Sequence, residues 1–95
     1  MQIIILGNTR MEMIEKFDKL IACYSAIFVS DIVRSSSCVR AILKDGTIIR
    51  GLTCNDNIRG YKADYIYISK NINYEIRKKV INYLGRGENT IYELY

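Results

Sequence analysis

Apolar residues fall along this chain in two rhythms. Gln2 to Leu6 (QIIIL) is a continuous, β-branched run, the pattern of a strand buried on both faces, and Gly7-Asn8-Thr9-Arg10 breaks it. From about Met11 to Tyr24 the rhythm changes. Met11, Ile14, Phe17, Leu20, Ile21 and Tyr24 recur at three- and four-residue steps, with Glu12, Glu15, Lys16, Asp18 and Lys19 between them, which predicts a helix. Thr9 is its expected N-cap, and Glu12 sits at the positive end of its dipole. Ala26 to Val33 (AIFVSDIV) predicts a second strand, followed by the polar break Arg34-Ser35-Ser36-Ser37. In CVRAILK-DG-TIIRGLT, Asp45-Gly46 joins two β-rich runs. That predicts a two-residue hairpin, because both residues tolerate the positive φ of a type I′ turn. Asn55 to Tyr61 reads as a loop and Ala63 to Ser69 as a strand. Asn71 to about Leu84 reads as a helix with Ile72, Ile76, Val80 and Leu84 on one stripe, capped by Asn71 or Asn73 and ended by Gly85 and Gly87. Thr90 to Tyr95 closes the series as a strand.

The order is β-α-β-β-β-β-α-β. It implies an α/β fold: a small, mainly parallel sheet with an attached β-hairpin, in one domain spanning residues 1–95. A chain this short buries roughly 60–65% of the surface its unfolded form exposes, which leaves room for one core and a shallow site. Three cysteines (Cys23, Cys38, Cys54) without C-x-x-C spacing, and no histidine, argue against a zinc site; reduced, mostly buried thiols in a cytoplasmic protein are expected. Met1 to Gly7 has no basic segment before its apolar run, so no signal peptide is expected, and no stretch nears the roughly 18 apolar residues of a membrane span. The net charge of +4 and pI near 9.0 favour nucleic acid or an acidic protein surface as partner.

Parallel α/β sheets bind ligands beyond the carboxyl ends of their strands. Those ends are Gly7-Asn8-Thr9-Arg10, Ser69-Lys70 and Tyr95. A strand, a glycine loop and a helix start form the layout of an anion site, with backbone N–H groups and the helix dipole facing the ligand. The full phosphate-binding pattern G-x-x-x-x-G-K-[ST] is not met. After Gly7 come Asn8, Thr9, Arg10, Met11, Glu12 and Met13, with no second glycine, lysine or hydroxyl in register.

The stretch ILKDGTIIRGLTCNDNIRGYKADYIYISKNINYEIRKKVINYL resembles the middle of phage-type P-loop ATPases, in particular the ATPase domains of terminase-like packaging motors. Members show a hairpin with an N-G-S or D-G-S/T turn, then R-G-x-R/K-A-D, then an apolar Walker B strand ending in Asp-Glu, then a helix. Here Asp45-Gly46-Thr47 is followed by Arg59-Gly60-Tyr61-Lys62-Ala63-Asp64 and by Tyr65-Ile66-Tyr67-Ile68. The resemblance implies a truncated P-loop NTPase-like core, with the last strand lying between the first strand and the strand at 63–68. Two departures decide the function it implies. Ser69-Lys70 stands where the acidic pair belongs, and Asn8 to Met13 stands where the glycine-lysine loop belongs. In the family the aspartate helps to hold magnesium and the glutamate orients the attacking water. Serine lacks that charge, and lysine repels a metal dication. The expectation is a protein that is not an enzyme and uses no metal or cofactor.

The strand ends then carry a basic tip. Asn8, Thr9, Arg10, Arg59, Lys62, Ser69 and Lys70 are the expected site for an anion or an acidic partner, with the four cations converging on it. The plain alternative is solvated side chains pointing apart. Tyrosines cluster late in the chain: Tyr65, Tyr67, Tyr92 and Tyr95, with Arg77 and Lys78 on the second helix, make a candidate interface. Set against this are a tyrosine core under the second helix and a solvated helix face. Glu12 and Glu15 read as helix surface. The leading expectation is a small phage or prophage protein that binds a protein partner through this basic, tyrosine-rich surface, for example as an inhibitor of a host defence nuclease. Nucleic-acid binding along the basic strand-end edge is the first alternative. Anion or nucleotide binding without turnover at Gly7 to Arg10 is the second, and homodimerisation through an edge strand is compatible with each.

Overall fold

The computed structural model describes residues 1–36, 38–54, 58, 60–85, 87 and 90–95. Eight elements follow in the expected order: β1 (Gln2–Gly7), α1 (Arg10–Ala22), β2 (Val29–Arg34), β3 (Val39–Leu43), β4 (Ile48–Thr53), β5 (Tyr65–Ile68), α2 (Tyr74–Leu84) and β6 (Ile91–Leu94). They form one six-stranded sheet in the order β2-β3-β4-β1-β5-β6. β1 runs parallel to β4 and β5, and β5 parallel to β6, whereas β2–β3 and β3–β4 are antiparallel. The sheet is therefore mixed, with three parallel and two antiparallel pairings. The hairpin does extend it, through β4 against β1.

One placement differs from expectation. The last strand does not lie between β1 and β5. These two pair directly, and β6 lies outside β5. Burial explains this. Ile3, Ile4, Ile5 and Leu6 of β1 are all buried, as a central strand requires, whereas every residue of β6 is exposed.

Alternation along β1 divides the core in two. Ile3 and Ile5 face α1, packing with Met13, Phe17, Ile21, Ala41 and Ile49. Ile4 and Leu6 face the other way, packing with Ile66, Ile68, Ile72, Val80 and Leu84 beneath α2. The helices thus cover opposite faces. The buried row of α1 is Met13, Phe17 and Ile21, at four-residue steps, so Met13 takes the place expected for Met11, which is 74% exposed. On α2, Ile76 is half-exposed while Val80 and Leu84 carry the stripe, and Asn73 rather than Asn71 is the cap, accepting from Glu75 N–H at 2.8 Å.

The hairpin loop also differs in kind. Leu43 N–H donates to Thr47 O, Gly46 N–H donates to Leu43 O, and within this loop only Gly46 has a positive φ, of 89°. Lys44, Asp45 and Gly46 make a three-residue loop, a turn closed by a left-handed glycine, in place of a two-residue type I′ turn. Asp45 stays in ordinary backbone space because its carboxylate accepts the Thr47 N–H at 2.9 Å. That bond, to the backbone and side chain of Thr47, also holds the Asp45 carboxyl below its usual pKa.

Candidate functional site

At the carboxyl end of β1 the chain turns tightly. A Cβ on Gly7 would lie 2.7 Å from Met13 N and 2.8 Å from Thr9 O, so only glycine lets the first turn of α1 sit against the strand end. Thr9 caps that helix, its hydroxyl accepting from Glu12 N–H at 3.2 Å. Glu12 then reaches back across the rim. Its carboxylate accepts from Asn8 N–H at 2.9 Å and from Asn71 Nδ2 at 2.6 Å, and it also bonds the hydroxyl of Ser69. Ser69 is fully buried and accepts the Asn71 N–H at 3.0 Å. Partial burial pushes the Glu12 pKa up, but the bonds from Ser69, Asn8 and Asn71 together outweigh it and leave the carboxyl below its usual value.

Glu12 is therefore not mere helix surface. It puts the chain's own carboxylate where the strand ends and the helix start would otherwise meet an external anion. Asn8, Thr9 and Ser69 come together as expected, but around an internal negative charge. Lys70 is exposed beside them, with its backbone N–H donating to Tyr95 O.

Arg10 and Lys62 do not gather there. The Arg10 guanidinium swings to the flank and donates to Ser35 O. There it lines a cavity of about 60 Å³ with Arg50, Tyr61, Ser36 and Cys38. Lys62 lies at the opposite end of the sheet, before β5, where its ammonium donates to Tyr83 O at 2.7 Å. A cation on the last carbonyls of α2 complements the helix dipole, so Lys62 serves the fold. Arg59 lies outside the described residues. Arg50 and its neighbour Arg40 were missed from sequence, because the expected two-residue turn at Asp45-Gly46 sets Arg40 against Gly51; the three-residue loop centred on Asp45 is what brings it opposite Arg50. The Arg50 guanidinium stacks 5.4 Å from the Tyr61 ring centroid.

The tyrosines divide between the two faces. Tyr65 and Tyr67 pair with Ile3 and Ile5 and so lie on the α1 side, not under the second helix. Their rings are 4.8 Å apart, and Lys16 Nζ sits 4.9 Å from the Tyr67 ring and 5.6 Å from the Tyr95 ring. Tyr65 donates to Glu93 at 2.6 Å, and this bond to a carboxylate raises its pKa to about 12. Burial raises the Tyr67 and Tyr95 phenols as well, and Tyr95 donates to Leu6 O at 2.9 Å. Tyr92 pairs with Ile66 and therefore faces the α2 side, away from Tyr65 and Tyr67. There it lines an open groove of about 230 Å³ with Tyr74, Arg77, Lys78, Ile81 and Leu94. The cysteines are less buried than expected: Cys23 is exposed, while Cys38 and Cys54 are half-buried.

Among the described residues, no cluster of histidine, cysteine and carboxylate side chains suits a metal ion, and no helix is long and apolar enough to cross a membrane. No family model matches the chain, and neither does any curated protein or solved structure. The resemblance to phage-type P-loop ATPases thus rests on the residues from 40 to 84 that carry it.

Proposed function

We propose that this chain is a non-catalytic binding protein that holds a protein partner in the groove between α2 and β6. The observation that carries this reading is the groove itself. Tyr74, Tyr92 and Leu94 are 65%, 55% and 48% exposed, beside a strand whose outer edge pairs with no described strand. Tyrosine and arginine are the side chains most enriched at the centres of protein interfaces. Arg77 and Lys78 flank the groove, and no described carboxylate lines it. The fitting partner is an acidic segment that adds a strand to β6 and sets apolar side chains against Tyr74 and Tyr92. By analogy with the resemblance, the setting is a phage or prophage protein acting in the host cytoplasm. Inhibition of a host defence nuclease is one use of such a grip. The anion-binding alternative at Gly7 to Arg10 is disfavoured by the Glu12 carboxylate already there.

The test is retention of a host protein by the immobilised chain. A partner of this kind is kept by the wild type and by Lys19→Ala, is lost with Tyr92→Asp, and survives moderate salt because apolar burial holds it. Retention that is indifferent to Tyr92→Asp overturns the reading. So does a concentration-dependent doubling of mass for the chain alone, abolished by the same substitution, since that would make a second copy the occupant.

A further inference from the structure

A second surface stands apart from this groove. α1 packs over β1 and β4, and α2 packs over β5. On the α2 side of the sheet, β2, β3 and β4 therefore carry no described helix. Register brings Val33, Arg40 and Ile42 of β2 and β3 to that face, with Ile48 and Arg50 of β4 beside them. All five are half-buried. Arg40 and Arg50 are directly opposite each other, and such antiparallel partners have Cα atoms only about 4.5–5.5 Å apart. Like charges in that relation destabilise a hairpin. Asp31, opposite Ile42, is the carboxylate that register adds to the face, and it forms no ion pair within 4.0 Å with either guanidinium. Arg40 Nε is shut off from solvent and has no hydrogen-bond partner among the described residues. Arg10 joins Arg50 at the rim of the face, in the small cavity beside Tyr61.

We propose that this face binds single-stranded nucleic acid, with Arg40, Arg50 and Arg10 holding successive phosphodiester oxyanions. Neighbouring phosphates seated on Arg40 and on Arg50 neutralise charges that otherwise repel each other, and the planar guanidinium fork matches phosphate oxygens two at a time. The small cavity that Arg10 and Arg50 line, about 60 Å³, opens to the surface, so a phosphodiester group on this face can reach Arg10. Val33, Ile42 and Ile48 lie among the arginines, and apolar side chains there suit exposed base planes. A duplex hides those planes within its stack, whereas a single strand presents them, and Tyr61 with its stacked Arg50 adds a flat surface for a base. The site is independent of the α2–β6 groove.

Fluorescence anisotropy of labelled ten-nucleotide oligo-dT and oligo-rU with the full chain tests this. Binding is expected to weaken with salt at a log–log slope of about −2, since each of three single-strand phosphate contacts contributes about −0.7. Arg40→Ala and Arg50→Ala should each lower affinity at least about fivefold and flatten the slope by about 0.7, while Lys79→Ala on α2 changes neither. Should Arg50→Ala fail to fold, as shown by its thermal melt, Arg50→Lys replaces it; keeping the charge but losing the fork, it should bind between wild type and Arg40→Ala. No anisotropy change at about 100 μM chain in low salt overturns the proposal, as does equal loss with Lys79→Ala or tighter binding of a duplex of the same length.

Discussion

Glu12 is the residue on which the strand-end rim turns. Its carboxyl is held below the ordinary value, so the bonds it accepts stabilise the folded state fully above the unfolded-chain pKa, near 4.3–4.5. That contribution is lost as pH falls through the lowered folded value. Glu12→Gln keeps the size but removes the charge. It is expected to cost about 1 kcal/mol at pH 7, in keeping with weakened hydrogen bonds to a partly exposed group, and to flatten the fall in stability between pH 5 and 3. Urea melts across that range measure both effects. Half of this residue's role was legible. Thr9 and Glu12 stand at the spacing of a capping pair, and the cap forms. The other half was not, because Asn71 lies 59 residues away and meets Glu12 only once β1 and β5 are neighbours. Arg10 and Lys62 show the same limit. Local sequence marks them as loop cations but does not say that one turns to the flank and the other caps a helix.

At the scale of elements, the two rhythms carried nearly everything that is local. All eight elements form in the expected order, with ends displaced by a few residues where helices and strands fray. What failed was non-local or depended on backbone angles. β6 reads as apolar in isolation, but Tyr92 and Glu93 tolerate an edge, whereas β1 has four consecutive residues that require the centre. The hairpin loop took a third residue because Asp45 satisfied Thr47 N–H with its side chain and so avoided positive φ. The junction of β1 and α1 offers the sharpest test at this scale. Gly7→Ala drives a methyl into Met13 N and Thr9 O, both backbone atoms of a capped helix turn that yields little. A loss of about 1–3 kcal/mol is expected in chemical denaturation, with the fold retained.

The whole molecule has a radius of gyration of 12.5 Å, close to the roughly 12.4 Å expected for one compact body of this length. Its stability is graded across the sheet. β1 is paired on both sides and covered on both faces, whereas among the described strands β2 and β6 each pair on one side only. Hydrogen exchange should therefore be slowest for the amides of Ile4, Ile5 and Leu6. It should be faster by orders of magnitude for those of β2 and β6, which open without global unfolding. Uniform protection across all six strands would contradict this layering. The same asymmetry separates the two proposed surfaces: α2 borders one on its β6 side, and it does not extend over β3 on the other.

The loop Lys44–Gly46 has an effect beyond closing a turn. Strand side chains alternate between faces, so the loop's length is a ruler that sets Arg40 level with Arg50 on one side of the sheet. Slide β3 by a single residue and the two guanidiniums part to opposite sides, taking Ala41 out of the interior as they go. Any lineage that altered the ruler would have to give up the paired cations and the packed centre in the same step.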